Sequence, residues 1–199
     1  MYLIRFKLLF LLGLCFCGPG SFAGPAIAAP YFVHCYDFRC KSNQEIHFNA
    51  SQWDEIKAIF NADPDMASEK QAIRLAIATM ERFSGEISGT HLDKGGNYSG
   101  YDLAKQMDCI DESTNTFQYL VALEELNLLA WHRVEPKNRR IVWFATHWSA
   151  VISEVHSGRK FVVDSWYLDN GEMPYIQPLA DWQRKLDFPV DFNPELASR

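Results

Sequence analysis

Glycine, proline and cysteine are all sparse in this chain, whose 199 residues include 11 glycines, 9 prolines and 5 cysteines. Glycine and proline at these levels exclude collagen-like and low-complexity proteins. The sequence has no internal repeat and no change of composition that would mark a second domain. Since 48% of its residues are hydrophobic, the chain can bury a core, and we expect residues 29–199 to form a single domain.

Basic residues are also in the minority, with 19 lysines and arginines against 25 aspartates and glutamates. The only dense basic patch is Lys137-Asn138-Arg139-Arg140. A nucleic-acid footprint needs many more clustered cations, so no nucleic-acid partner is expected. The patch itself is predicted to be a solvated loop between two apolar segments.

The one long uncharged run lies at the start of the chain. Arg5 and Lys7 precede the run Leu8–Cys17, and Ala26-Ile27-Ala28 has the pattern of a signal-peptide cleavage site. We therefore expect residues 1–28 to be a signal peptide that is cleaved after Ala28. A second candidate cleavage site is Ser21-Phe22-Ala23.

The alternative to cleavage is an uncleaved membrane anchor, because residues 8–29 carry no charge. Gly18-Pro19-Gly20 and Gly24-Pro25 interrupt that segment, and membrane contact is expected only if it stays uncleaved. Removal of residues 1–28 takes away two positive charges and no negative ones, which changes the net charge from −6 to −8. We expect the acidic mature protein to be periplasmic or secreted.

The first half of the mature chain has the periodicity of helices. Apolar residues recur at helical spacing in three segments: 51–60, 68–85 and 109–127. Ser51 is predicted to cap the first helix, and Ser68 with Gln71 to form a capping box for the second. Residues 30–49 are predicted to be extended, and residues 87–102 to form a long surface loop.

The second half changes to short runs of β-branched and aromatic residues. These runs predict strands at 128–131, 141–145, 146–155 and 160–167. The turn at Ser157-Gly158 predicts that the last two strands pair antiparallel. Helices followed by a sheet predict an α+β fold with a helix packed on an antiparallel sheet. The tail at 174–199 has no strong pattern and is predicted to wrap the surface.

The mature chain retains three cysteines, Cys35, Cys40 and Cys109. An odd number in an oxidising compartment leaves one thiol unpaired. Because Cys35 and Cys40 lie close together in a non-helical segment, we expect them to be bridged and Cys109 to be free. The alternatives are two unbridged thiols, or a metal site that adds His34 and His47. The adjacent His34-Cys35 pair does not match ordinary zinc spacing, so no metal or cofactor is expected.

Cys109 is predicted to lie at a helix N-terminus, where unpaired N–H groups and the helix dipole favour a thiolate. It is therefore the candidate nucleophile; the alternative is a small buried apolar residue. A cysteine nucleophile needs a base and an orienting partner, and His147 and Asp164 share one face of the predicted hairpin. A hairpin centred on Ser157-Gly158 places His147 opposite Leu168 and about 13 Å along the strand from Asp164. A bulge, twist or asymmetric loop must close that offset.

Three segments together resemble a known family. Asp108-Cys109-Ile110-Asp111-Glu112-Ser113 is similar to the cysteine motif of the bacterial transglutaminase-like cysteine peptidases, within the papain-like superfamily. His147-Trp148-Ser149-Ala150-Val151-Ile152 and Val162-Val163-Asp164-Ser165 resemble that superfamily's histidine and aspartate strands. The resemblance implies an α+β fold in which the cysteine-bearing helix packs against an antiparallel sheet. It also implies a Cys109-His147-Asp164 triad in which Cys109 attacks a carbonyl and the acyl group passes to water or an amine.

We therefore expect an exported cysteine hydrolase or acyltransferase that acts on peptide or isopeptide amides, with peptide or protein substrates of the cell envelope. The alternative is a catalytically silent domain of the same fold that serves as an envelope binding module. Gln106 is a candidate oxyanion side chain, with a surface polar role as the alternative. Trp148 and Trp166 are candidates to line a substrate groove, with core packing as the alternative.

Overall fold

The computed structural model describes residues 29–60, 64–97, 103–142 and 145–185. Its elements, in chain order, are β1 (Tyr31–Tyr36), β2 (Ser42–His47), α1 (Ala50–Ala58), α2 (Met66–Ser88), α3 (Cys109–Glu125), β3 (His132–Val142), β4 (Ala145–Glu154), β5 (Lys160–Asp164), β6 (Tyr175–Pro178) and α4 (Leu179–Gln183). The predicted signal peptide, the last five residues (98–102) of the predicted long loop and residues 186–199 of the predicted tail lie outside the described residues.

The strands form two antiparallel sheets. β1 and β2 pair in a hairpin, and β3, β4, β5 and β6 form a four-stranded sheet in that order. α3 packs on β4 and on β1, so the predicted α+β architecture, with a cysteine-bearing helix against an antiparallel sheet, is confirmed. No helix in these ranges is long and apolar enough to cross a membrane.

The core lies between α2, α3 and the four-stranded sheet. The apolar stripe predicted for α2 is buried throughout and comprises Ile73, Ala76, Ile77, Met80 and Phe83. It packs with Leu120 and Leu123 of α3 and with Ala150 and Ile152 of β4. Full burial of each large apolar side chain contributes about 1.5–3 kcal/mol. The helix that carries Cys109 is therefore fixed against the strand that carries His147.

The first two helices begin earlier than predicted. Asn49, not Ser51, caps α1, and its side chain accepts the Gln52 N–H at 3.0 Å. Asp65, not Ser68, caps α2, and its carboxylate accepts the Ser68 N–H at 2.7 Å. In both cases the third helical residue returns a hydrogen bond to the cap, which completes a capping box.

α2 also runs past its predicted end at Gly85 and stops at Ser88, with Gly89 in the left-handed region at φ 84°. Gly85 serves close packing rather than helix termination. A Cβ on Gly85 would lie 2.5 Å from Asn170 Oδ1 and 3.0 Å from His91 Cα. Only glycine therefore fits where these two segments cross the helix.

The basic residues 137–140 lie within β3, so the prediction of a solvated loop there is wrong. β3 carries Pro136 and a bulge between Glu135 and Asn138, both of which an edge strand tolerates. Most residues of this strand are polar, so it lacks the apolar alternation by which a strand is predicted from sequence. As a consequence, Arg139 and Arg140 pair across the sheet with the segment of β4 around His147.

The predicted strand at 128–131 is absent from the sheet for a different reason. The buried carboxylate of Glu69 accepts the N–H groups of Ala130, Trp131 and His132 at 2.8, 2.9 and 3.0 Å. It also lies 2.9 Å from His132 Nδ1. These backbone groups are thus satisfied by a side chain from α2 instead of a neighbouring strand.

The tail is more regular than predicted, because residues 175–183 form β6 and α4. Val162 is paired with Gln177, which adds β6 to the sheet. Trp182 of α4 is completely buried and packs with Val151 and Val162. This part of the tail therefore belongs to the folded domain rather than to its surface.

Candidate active site

The N-terminus of α3 positions Cys109. Asp108 caps the helix, since its Oδ1 accepts the N–H groups of Ile110 at 2.9 Å and Asp111 at 3.0 Å. The Asp111 carboxylate accepts the Asp108 N–H at 3.3 Å in return. The Cys109 thiol is free and half-buried, with Sγ 3.7 Å from the carbonyl oxygen of Thr146. The predicted free thiol at a helix N-terminus is confirmed, and it is not a core residue.

The hairpin of β4 and β5 brings His147 and Asp164 together. Ala150 pairs with Val163, so one step further along the ladder Asp164 comes level with Ser149. His147 is then two residues from the position opposite Asp164, and the predicted four-residue offset is wrong. Diagonal neighbours of this kind are about 7–8 Å apart at the backbone, within reach of long side chains.

The His147 ring is enclosed by aromatic side chains. Its centroid lies 4.8 Å from that of Trp166, 5.2 Å from that of Tyr167 and 5.6 Å from that of Trp182. Nε2 lies 2.8 Å from Asp164 Oδ2. Nδ1 is buried and has no hydrogen-bond partner in the described part of the chain. Nδ1 is therefore the nitrogen left to face the Cys109 thiol.

The charges around His147 favour its protonated form. Burial of the ring disfavours the imidazolium, but the hydrogen bond to Asp164 and the interaction with the Cys109 thiol outweigh burial and raise the pKa of His147 to about 9. His147 therefore carries two ring protons at neutral pH. Because Nε2 donates to Asp164, the proton on Nδ1 is the one available at the sulfur atom.

Trp182 is a site residue that the sequence did not predict. Its Nε1 donates to Asp164 Oδ2 at 2.9 Å, so this oxygen accepts from both Trp182 and His147. Arg140 holds the surroundings in place by donating to the Trp182 carbonyl oxygen at 2.6 Å and the Tyr167 hydroxyl at 2.7 Å. Arg140 lies in a polar strand and Trp182 lies in a five-residue helix. Neither element has an apolar periodicity from which the sequence could have identified these residues.

The predicted Cys35–Cys40 disulfide is present, and its loop is conformationally unusual. The four consecutive residues Asp37, Phe38, Arg39 and Cys40 have φ angles between 53° and 65°. This left-handed conformation costs a non-glycine residue roughly 1–2 kcal/mol. The chain therefore needs surrounding contacts to hold the loop in this shape.

Those contacts connect the disulfide loop to the helix of the nucleophile. The Cys40 N–H donates to Asp111 Oδ1. The Cys35 N–H donates to Asn115 Oδ1 at 2.7 Å, and Asn115 Nδ2 donates to the Cys35 carbonyl oxygen at 2.9 Å. Asp111 is also the capping-box partner of Asp108, so the loop braces the turn that carries Cys109.

The disulfide removes the metal alternative. Cys35, Cys40 and Asp111 form the only cluster of potential metal ligands in the described residues, and its two sulfur atoms are bonded to each other. His34 does not join it, because its ring is buried between the Tyr119 hydroxyl and Thr90 Oγ1, each at 3.1 Å. His47 is exposed and contacts Glu45.

We expect removal of the disulfide to affect both stability and the nucleophile. The double variant Cys35→Ser/Cys40→Ser should lose about 2 kcal/mol of stability, the value expected for so short a loop, and its Tm should fall by several degrees. Acylation of Cys109 should slow because Asp111 loses its braced position. Differential scanning calorimetry and single-turnover acylation measure the two effects. A lower Tm with an unchanged acylation rate would show that the loop does not position Cys109.

Three buried carboxyl groups lie close to one another: Glu81 of α2, Asp93 of the following loop and Glu112 of α3. Burial raises the pKa of Glu81 to about 8 and that of Asp93 to about 7, and repulsion from neighbouring carboxylates acts in the same direction. Burial and repulsion also hold the pKa of Glu112 well above its usual range. Glu112 Oε2 has no hydrogen-bond partner within the described ranges, so its neutral form is favoured.

These carboxyl groups make stability depend on pH. A carboxyl whose pKa is raised by folding stabilises the protein fully below its unfolded pKa, and that contribution is lost as the pH rises through the folded value. We therefore expect Tm to fall between about pH 4.5, near the unfolded pKa values, and about pH 8.5, above the folded values of Glu81 and Asp93. Glu112→Gln should flatten this slope and be more stable than wild type at the upper pH. Glu125→Gln, which alters an exposed carboxyl on the same helix, should retain the wild-type slope, and equal slopes in all three proteins would contradict this account.

Gln106 is not a surface residue, so the surface polar alternative is wrong. Its side chain is buried, and its Oε1 accepts the Lys94 N–H at 3.2 Å and a proton from Asn97 Nδ2 at 2.7 Å. Its Nε2 donates to the Leu92 carbonyl oxygen at 3.2 Å. Gln106 therefore organises the loop before Cys109.

The two candidate groove tryptophans have different positions. Trp166 is buried against His147, as in the core alternative. Trp148 is half-buried, with the charged groups of Lys137 and Arg139 over its ring. Trp148 is therefore the one of the two that remains accessible beside the site.

Together, the fold and the site define an α+β protein with a free cysteine at a helix N-terminus beside a histidine–aspartate pair on an antiparallel sheet. No known protein family, curated protein or solved structure matches this chain.

Proposed function

We propose that this chain is an exported cysteine hydrolase or acyltransferase with a transglutaminase-like, papain-like fold. It acts on peptide or isopeptide amide bonds through Cys109, His147 and Asp164. The observation that carries the proposal is the series formed by the Cys109 thiol, whose Sγ lies 3.7 Å from the carbonyl oxygen of Thr146, and by the adjacent His147, whose Nε2 lies 2.8 Å from Asp164 Oδ2. The series supplies a nucleophile, a base and an orienting acid, which are the groups that acyl transfer requires.

In the first half of the proposed reaction, the Cys109 sulfur attacks the carbonyl carbon of the amide while the thiol proton resides on His147 Nδ1. The C–S bond forms and the carbonyl electrons move to oxygen, next to the N-terminus of α3, where the Cys109 N–H is not among the N–H groups that Asp108 accepts. The C–N bond then breaks as His147 gives its proton to the leaving amine. The products of this half are a free amine and a thioester on Cys109.

In the second half, water or an amine attacks the thioester carbon. His147 takes a proton from the attacking group and returns it to the sulfur as the C–S bond breaks. Water yields a carboxylic acid, whereas an amine yields a new amide. Asp164 and Trp182 keep the His147 ring in one orientation during both halves, and no cofactor or metal enters these steps.

The same proposal covers location and partners. The predicted signal peptide and the Cys35–Cys40 disulfide support a periplasmic or secreted protein, because disulfides persist in oxidising compartments. The partners we propose are peptide or protein substrates of the cell envelope, with no nucleic acid. Membrane attachment would occur only through an uncleaved N-terminal segment.

Mixing the protein with p-nitrophenyl acetate tests the proposed acyl transfer. We expect a burst of p-nitrophenol and an acetyl group that peptide mapping finds on Cys109. Hydroxylamine should shorten the lifetime of this adduct, since it is a stronger nucleophile than water. An acetyl group on surface lysines alone, with no burst, would favour the catalytically silent binding domain.

A further inference from the structure

A cationic surface lies next to α3, the helix that carries the candidate nucleophile. Lys137 Nζ is 5.7 Å and Arg139 Cζ is 5.8 Å from the centroid of the Trp148 ring. Arg139 is the cross-strand partner of Trp148, which follows His147 in β4 and therefore points to the other face of the sheet, the face that packs on α3. Lys137 and Trp148 are partly exposed and Arg139 is exposed. These three residues are named the Trp148 patch.

Lys137 connects this patch to the helix of the nucleophile. Its Nζ donates to Thr114 Oγ1 at 2.7 Å and lies 3.4 Å from Ser113 Oγ, both in the first turns of α3. The ammonium group also interacts electrostatically with the Cys109 thiol. An ammonium group has three protons, so at least one remains for a ligand that approaches Cys109.

Neither cation is neutralised by an ion pair within residues 29–60, 64–97, 103–142 and 145–185. The carboxylates that act on Lys137 are those of Asp111 and Asp108. Both already accept backbone N–H groups at the start of α3. Partial burial of the ammonium group lowers the pKa of Lys137 below its usual range. An anion bound between Lys137 and Arg139 would offset the cost of partly burying the Lys137 ammonium group without an ion-pair partner.

We propose that the Trp148 patch binds a carboxylate side chain of the acyl-donor peptide, so that the substrates of Cys109 are acidic peptides with a glutamate or aspartate near the reacting amide. This inference rests on the proposed function of Cys109. The Arg139 guanidinium matches the fork of a carboxylate, and Lys137 adds a point charge. The Trp148 ring offers an apolar face to the methylene groups of the acidic side chain. The chain as a whole has a net charge of −6 and repels acidic peptides, whereas the two cations of the Trp148 patch attract them.

Protection of Cys109 from iodoacetamide by tetraglutamate tests the patch. We expect tetraglutamate to slow alkylation of the wild-type protein and tetraglutamine to have no effect at the same concentration. The double variant Lys137→Gln/Arg139→Gln should need at least about fivefold more tetraglutamate for the same protection. The matched control Arg133→Gln/Arg159→Gln removes two charges at the other end of the β3–β4 and β4–β5 hairpins, and it should be protected like the wild type.

The outcomes separate the two proposals. Equal protection by both peptides, or equal protection of the patch variant and the control, would overturn the carboxylate site. Protection by inorganic phosphate without protection by tetraglutamate would overturn it as well, in favour of a phosphate ligand. The alkylation rate without peptide tests the proposed function, because it should fall in His147→Gln whatever the patch binds. An unchanged rate in His147→Gln would contradict the catalytic role while leaving the protection result valid.

Discussion

Replacing Cys109 with alanine should abolish acyl transfer, with the burst of p-nitrophenol falling by a factor of about 10³ or more. The sulfur atom forms the new bond to carbon, and Cys109 has the only free thiol in the part of the chain that the structure describes. His147 and Asp164 remain in this variant, but neither replaces the nucleophile. Stopped-flow absorbance at about pH 7, followed by peptide mapping, measures the loss.

The same variant should fold normally, which makes the loss interpretable. Cys109 is half-buried and its sulfur lies 3.7 Å from a single carbonyl oxygen, so its truncation opens no core cavity. We expect a Tm within about 2 °C of wild type. His147→Gln is the companion variant because it keeps the thiol and removes the base, and its burst rate should fall by about 10²-fold or more. A burst that survives in Cys109→Ala would place the acyl group elsewhere and contradict the mechanism.

Asp164→Ala should have the largest effect on stability among the site variants. Asp164 is 2% exposed and accepts from both His147 and Trp182. Its removal leaves a buried imidazolium and a buried indole N–H without their acceptor, which costs about 3 kcal/mol. For a domain of this size, Tm should fall by roughly 10 °C. Asp164→Asn keeps an acceptor for Trp182 and should recover part of the loss, as thermal unfolding of both variants can show.

The loss of stability in Asp164→Ala should become smaller as the pH rises. Folding raises the pKa of His147 to about 9, above the ordinary value of about 6.5. The contribution of the His147–Asp164 pair is therefore complete below the unfolded pKa and disappears as the pH rises through the folded one. The Tm difference between wild type and Asp164→Ala should shrink between about pH 6 and pH 9.5. A difference that stays constant over this range would show that the pair is not ionic.

Elements with strong periodicity could be predicted from the sequence. The apolar stripe of α2 predicts its buried face because spacing of three and four residues identifies one side of a helix. The start of α3 at Cys109 follows from the acidic residues of its first turn. β3 and α4 could not be predicted in this way, because an edge strand with a proline and seven charged or polar residues lacks an apolar pattern. A five-residue helix is likewise too short to show one.

The site was predicted in its chemical parts but not in its geometry. Cys109, His147 and Asp164 were identifiable from residue type, order and face. The His147–Asp164 contact depends on the register of β4 and β5, whose hairpin is centred on His156-Ser157 and not on Ser157-Gly158. The support from Trp182 and Arg140 depends on long-range packing of the tail against β3, and no local pattern encodes it. The disulfide was predictable because cysteines five positions apart can meet without a tertiary contact.

The rate at which iodoacetamide alkylates Cys109 in the native and in the urea-unfolded protein, at about pH 6, tests the central claim most directly. An active nucleophile beside the His147 imidazolium should react at least about tenfold faster in the native protein than in the unfolded chain. Mass-spectrometric mapping assigns the label to Cys109. A thiol that reacts only after unfolding would contradict the account and show that the fold shelters Cys109 without activating it.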